Sequence, residues 1–383
     1  MNFRILVALS LLIFSSCAQE GDSLAEVNVW KDLVESPPEP AIELSTYLTA
    51  HRGLQEKVDS VFNTLDDRAI VAQLIMPAAG RLGQSEKRIK YLVENRYIGG
   101  IILLNGTKQQ FKDWVIEYEA MNKSLGSLPF LYSADAEPSL VNRKIVGSKP
   151  VTHAYKILTI EEARAVAKSI SDDLNDIGIN YNFSPVVDLS PNKTVGYRGF
   201  GSDPKNVVPF SKAFIEQSQS QNIIATAKHF PGHGLISGDT HKSLQVIDGE
   251  LKEIQYYPEL IENGVLSVMV AHIAVKNNSI YGTNGSPATL SDVIVKKLLR
   301  EKLGFKGLVV TDAMGMGGVV KVPNSCSKAI AAGCDILLMP NDAQEAHEEI
   351  MTKYLSDNDF KLQVETSVKR IIRMKICLGL LAN

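Results

Sequence analysis

The sequence predicts an α/β chain built as a single (β/α)8 barrel of the TIM type. Three observations predict it. Short β-branched runs alternate with amphipathic segments from about residue 57 to the end, and most runs are apolar throughout, as parallel strands buried on both faces require. Polar residues stand at the ends of many strands (Asn105, Asp135, Asp188, Lys228, His272, Asp312 and Asn341), which in a barrel converge on one face. No Gly-x-Gly-x-x-Gly follows the first strand, which argues against the competing doubly wound sheet.

In chain order, strands are predicted over 71–76, 98–104, 130–134, 179–187, 223–227, 267–271, 307–311 and 335–339. Helices are predicted over 85–95 and 108–122. The next, over 159–176, opens with a capping box, Thr159 as N-cap and Glu162 three residues on. Asp203-Pro204 opens another with an N-cap and a proline in the first turn. Helices over 251–263, 291–302 and 327–332 stop at Gly264, Gly304 and Gly333, residues free to take the left-handed conformation that ends a helix. A last helix runs over about 361–378.

The N-terminus is a targeting segment. Arg4 supplies a positive n-region, and residues 5–14 an apolar h-region of signal-peptide length. Ser15-Ser16-Cys17 then resembles the lipobox of bacterial lipoproteins, with Phe14 where Leu or Val is usual. The resemblance implies acylation at Cys17 and attachment to a membrane by lipid alone, facing the periplasm or the cell surface. The alternative is ordinary secretion. Residues 18–50 are polar and carry Pro37, Pro38 and Pro40, the composition of a tether. The expected organisation is a signal peptide over 1–16, a lipidated N-terminus and linker over 17–56, and the barrel over 57–383.

With a formal net charge of −3, the chain has no basic surface to suggest nucleic acid as a partner. No apolar run reaches the roughly twenty residues of a membrane-spanning helix. Cys326, Cys334 and Cys377 form no disulfide framework and are expected as buried small hydrophobes.

Chemistry concentrates in Lys228-His229-Phe230-Pro231-Gly232-His233-Gly234, followed by Asp239-Thr240-His241. A strand leading into a Gly-rich polar loop is how barrel enzymes present side chains. Asp239 and His241 can form a dyad, because a carboxylate beside an imidazole fixes its tautomer and favours its charged form. The bland alternative is an Asx turn made by Asp239. Asp312 ends the 307–311 run beside Gly and Met, a placement suited to a nucleophile, or to a cap on the following turn. Lys228 and His229 can bind hydroxyls or neutralise buried aspartates at the barrel mouth. Asp135, Glu137, Arg143 and Arg198 supply carboxylate and guanidinium groups that grip vicinal hydroxyls, or else make structural salt bridges. The histidines and aspartates also permit a metal site. Against it, Met76-Pro77 stands where barrel metallohydrolases place His-x-His.

Together the motifs resemble family 3 glycoside hydrolases, in their β-N-acetylglucosaminidase (β-hexosaminidase) branch. The match is ordered along the chain: Asp135-x-Glu137 with Arg143, then Gly178 to Asp188, then Arg198-x-Phe200-Gly201-x-Asp203-Pro204. The Lys228–Gly234 run and Asp239-x-His241 follow, then Ala271-His272-Ile273, Ala288 to Ser291, and Leu303-Gly304-Phe305-x-Gly307 leading into Thr311-Asp312. The resemblance implies a retaining, two-step hydrolysis of terminal β-linked N-acetylglucosamine. Asp312 would be the nucleophile and His241, oriented by Asp239, the acid and then the base. Asp135, Arg143, Arg198, Lys228 and His229 would hold the sugar. It implies no metal and no cofactor, a monomer, and an N-acetylglucosamine-containing glycan, from peptidoglycan or chitin-like, as partner. One departure stands out: the family usually has Asp-x-Glu-Gly-Gly where this chain has Asp135-Ala136-Glu137-Pro138-Ser139. Phosphorolysis, with phosphate in place of water, and a sugar-binding lipoprotein without activity are the competing readings.

Overall fold

A computed structural model describes residues 41–189 and 191–381. The signal segment, Cys17 and most of the expected tether lie outside the described residues.

Seven parallel strands form one sheet, with Leu308–Thr311 at one end. From there it runs through Ser267–Val270, Ile224–Phe230, Tyr181–Asn182, Leu131–Ala134 and Gly100–Leu103 to Ala78–Ala79. Ile75–Met76 lies just before Ala78–Ala79 and pairs in parallel with Leu337–Leu338. Val310 bridges Ile336, next to that last strand. The ladder thus returns to its start, consistent with a TIM-type barrel. Strand residues are buried on both faces, which explains their continuous apolar sequence.

Side-chain caps fix the outer helices. Ser85, Thr107, Thr159, Asp203, Asp342 and Asp357 each accept a backbone N–H in the first turn that follows. At Thr159 the box is shifted by one residue: Glu162 accepts from Leu158 N rather than from Thr159 N.

Four expectations need correction. The 71–76 run is not all strand, because Asp66 caps a helix, Asp67–Ala72, and only Ile75–Met76 is extended. A short apolar run cannot by itself distinguish a buried helix end from a strand. The helix over 251–263 is broken into a 3-10 segment, Lys252–Tyr256, and an α-helix, Tyr257–Glu262, where Pro258 suits a new first turn. A helix, Ala343–Ser356, occupies a stretch assigned to nothing. The folded domain also begins before residue 57. Leu44 and Tyr47 are buried, and Arg52–Phe62 is a helix whose Leu54 and Val58 are buried beside the terminal helix Asn358–Cys377. Arg373 Nε donates to Tyr47 O at 2.7 Å, stitching the first described segment to that helix. Cys326, Cys334 and Cys377 are free and buried, as expected.

The bottom of the barrel is fastened by Asp335, which is fully buried. It accepts from Arg300 Nη2 (2.5 Å), Val309 N (2.8 Å), Ser367 Oγ (2.8 Å) and Arg370 Nη1 (3.1 Å). Burial raises its carboxyl, but Arg300 and Arg370 outweigh this and hold it below the usual range. Asp335→Asn is expected to cost about 3–5 kcal/mol, because two guanidiniums lose their counter-charge. Urea unfolding checks it. With the folded-state value depressed, the stabilisation is complete above the unfolded pKa of about 4 and is lost as pH falls through the folded value, so the gap between wild type and variant should close in acid.

Candidate active site

The strand ends open into a cavity of about 620 Å³, whose lining includes Asp135, Arg198, Lys228, His229, His241 and Asp312. Its floor is built on Ile224–Phe230, longer than expected, so Lys228 and His229 belong to the strand itself. Successive strand residues normally face opposite ways. Here Met269 pairs with Lys228 and Val270 with Phe230, leaving His229 as an extra residue in a bulge. Bulges re-aim side chains, and adjacent Lys228 and His229 both line the cavity.

Lys228 is almost fully buried and bridges two carboxylates, bonding Asp135 Oδ1 and lying 2.5 Å from Glu137 Oε1. Arg198 grips Glu137 through two bonds, Nη2–Oε1 at 2.6 Å and Nε–Oε2 at 2.8 Å. Burial raises both carboxyls, but Lys144, Lys228 and Arg198 hold Asp135 well below its usual range, and Arg198 and Lys228 lower Glu137. The floor is therefore a fixed array of charges, able to bind sugar hydroxyls without rearrangement. Asp188 accepts from His229 Nδ1 at 2.5 Å and from His233 N at 2.8 Å. That carboxylate sets the His229 tautomer, with Nε2 as the other ring nitrogen.

Arg143 sits at the cavity mouth, exposed, and its guanidinium has no partner among the described residues. Its neighbour Lys144 binds Asp135 instead, a contact sequence reasoning missed. A single-turn helix, Val141–Lys144, places them side by side, and no local pattern distinguishes their roles. The Pro138-Ser139 departure also has a use: Ser139 Oγ donates to Tyr197 O at 2.7 Å and accepts from Ala154 N, tying the Asp135 loop to the Arg198 loop.

Asp239 Oδ1 accepts from both His241 Nδ1 (2.8 Å) and His241 N (3.0 Å). One oxygen thus makes the dyad and the Asx turn together. Burial raises the Asp239 carboxyl, but the His241 hydrogen bonds prevail and keep it below its usual range. The loop is anchored by His233 Nε2 to Thr240 Oγ1 at 2.9 Å. Gly317 N donates to His241 O at 3.0 Å and Gly318 N to Thr240 O at 3.2 Å, both from the segment that follows Asp312.

Asp312 is half-buried at its strand end, and Oδ1 accepts from Ala313 N at 2.8 Å. Burial raises its carboxyl, but His229 and His272 more than offset this and hold it below its usual range. An ionised carboxylate and a carboxylate-oriented imidazole therefore share one cavity, the equipment for nucleophilic attack with proton transfer. His272 Nε2 donates to Ala313 O and its Nδ1 pairs with the Thr289 hydroxyl at 2.8 Å, so it braces the Asp312 turn. Among the described residues, no group of three or more His, Cys, Asp and Glu side chains could hold a metal.

Residues 64–374 match the family described as glycosyl hydrolase family 3 N terminal domain. A β-hexosaminidase of Actinobacillus pleuropneumoniae is 31% identical over 284 residues, covering 69% of this chain and 79% of that protein. One from Hydrogenovibrio crunogenus is 34% identical over 199 residues, covering 49% of this chain and 54% of that protein. Among solved structures, a β-N-acetylglucosaminidase from Paenibacillus sp. superposes with a TM-score of 0.75 at 27% identity, covering 83% of this chain and 64% of that chain. The matches thus span about half of the Hydrogenovibrio relative and just under two thirds of the Paenibacillus chain.

Proposed function

This chain belongs to glycosyl hydrolase family 3, and on that premise we propose that it is a retaining, exo-acting β-N-acetylglucosaminidase. The observation that carries the reading is His241, bonded to Asp239, lining one cavity with Asp312, whose carboxyl is held below its usual range. Asp312 attacks the anomeric carbon while His241 protonates the departing oxygen, giving a glycosyl-enzyme. His241, now neutral, takes a proton from water, which displaces Asp312 and restores the original anomeric configuration. Asp135, Arg198, Lys228 and His229 bind the sugar hydroxyls, and Arg143 works at the rim.

Arg81, Arg143 and Lys193 stand exposed along the mouth and have no side-chain partner among the described residues. Unpaired cations favour a carboxylate-bearing peptidoglycan fragment over a neutral chitin-like chain. The Ser15-Ser16-Cys17 segment supports an exported, lipid-anchored enzyme.

The test is release of nitrophenol from the β-N-acetylglucosaminide beside the β-glucoside, with the product followed by NMR. Turnover of the acetamido sugar to free β-configured N-acetylglucosamine is expected. A sugar phosphate formed only with added phosphate would replace hydrolysis by phosphorolysis. Binding without turnover would leave a sugar-binding lipoprotein.

A further inference from the structure

Glu253 lies outside the cavity and outside every motif described above, yet it is buried, with 4% of its surface exposed. No cation pairs with it among the described residues. Its carboxyl group is instead satisfied by three backbone N–H groups from two separate loops. Leu189 N donates to Oε1 at 2.7 Å, while Gly234 N and Leu235 N donate to Oε2 at 3.0 and 3.3 Å. The 231–235 loop wraps this group closely. A Cβ at Gly232 would stand 2.6 Å from Oε2, and one at Gly234 would stand 2.6 Å from Oε1. The two glycines of the Pro-Gly-His-Gly run thus lie against a residue about twenty positions downstream, although a Cβ at Gly234 would also meet the Leu189 backbone (2.1 Å to its O) and Gly232 holds a φ of +134°.

The neighbours of the clamped residues matter more. Leu189 follows Asp188, which holds His229 and the backbone of His233. Gly234 follows His233, whose ring holds Thr240 between Asp239 and His241. From the geometry we infer that Glu253 is the positioning residue of the proton-transfer loop, joining the Asp188 turn to the His233 turn and so setting where His241 sits over Asp312. Burial and the nearby Asp188 charge push its carboxyl up to about 8, against the pull of the three amides, which favour the charged form.

This inference rests on the hydrolase reading, so its test has one arm that does not need activity. In Glu253→Gln, hydrogen–deuterium exchange is expected to rise across residues 233–242 while the barrel-strand amides keep their protection. The second arm compares kcat/KM on two N-acetylglucosaminides. A dinitrophenyl leaving group needs no proton and should lose less than about threefold. An alkyl leaving group needs His241 in place and should lose about 10²-fold, the scale of an ångström-sized misplacement. Thr240→Val cuts the same chain at its other end without disturbing a buried carboxyl, and should show the same split if Glu253→Gln fails to fold. Equal losses on both substrates, or unchanged exchange across 233–242, would overturn the inference. A wild type inactive on both substrates, with the exchange change present, would sink the hydrolase reading and leave the clamp standing.

Discussion

Asp312→Asn is expected to lower kcat on nitrophenyl β-N-acetylglucosaminide by on the order of 10⁴-fold, or about 5.5 kcal/mol of barrier. The substitution is nearly isosteric, and an amide oxygen can still accept from Ala313 N, so the fold and the cavity should survive. What disappears is the anion proposed to close on the anomeric carbon. Sugar binding, read by calorimetry, should change little, because the floor formed by Asp135, Glu137, Lys228 and Arg198 is untouched. Added azide should restore turnover through a product of inverted configuration. Activity within tenfold of wild type would show that another group attacks. Since the Asp312 carboxyl is held below its usual range, it stays ionised down to about pH 4 and below. An acidic limb of kcat/KM above that pH would therefore belong to some other group.

His241→Ala is expected to lose about 10²- to 10⁴-fold on substrates with poor leaving groups, the usual worth of a positioned proton donor. Its signature is selectivity. Glycosides whose leaving group departs unaided should lose little in kcat/KM, yet their second step should stall for want of a base. A burst of phenol followed by slow turnover, relieved by azide with retention, is the expected record. Equal losses on good and poor leaving groups would remove His241 from proton transfer. Asp239→Asn should produce a milder form of the same pattern, because an amide can still orient the ring but cannot stabilise its charge.

How far the sequence anticipates all this depends on whether a residue's partners are local. Asp312 and Asp135 stand where apolar runs end, and those runs are strands. Asp239 and His241 are two residues apart, so their bond was legible as spacing. Lys144 and Glu253 were not legible, because their partners lie in distant segments and their own surroundings resemble ordinary helix and loop sequence. Lys228 and His229 were anticipated as a pair, but the bulge that turns both to one side is a property of pairing with Met269 and Val270, forty residues on. The helices Arg52–Phe62 and Ala343–Ser356 were missed for another reason. Both are polar on their outer faces and are held by packing against Asn358–Cys377.

The amides of Gly317 and Gly318 hold the carbonyls of His241 and Thr240, so on the proposed mechanism the group that moves protons is tied to the piece of chain that follows the nucleophile. Their separation is then insensitive to whatever fills the outer half of the cavity, whether the departing alcohol, water or another hydroxyl compound. An enzyme built this way gains tolerance: it should cleave a range of aglycones at similar rates, and at high alcohol concentration it should pass the sugar to the alcohol as readily as to water.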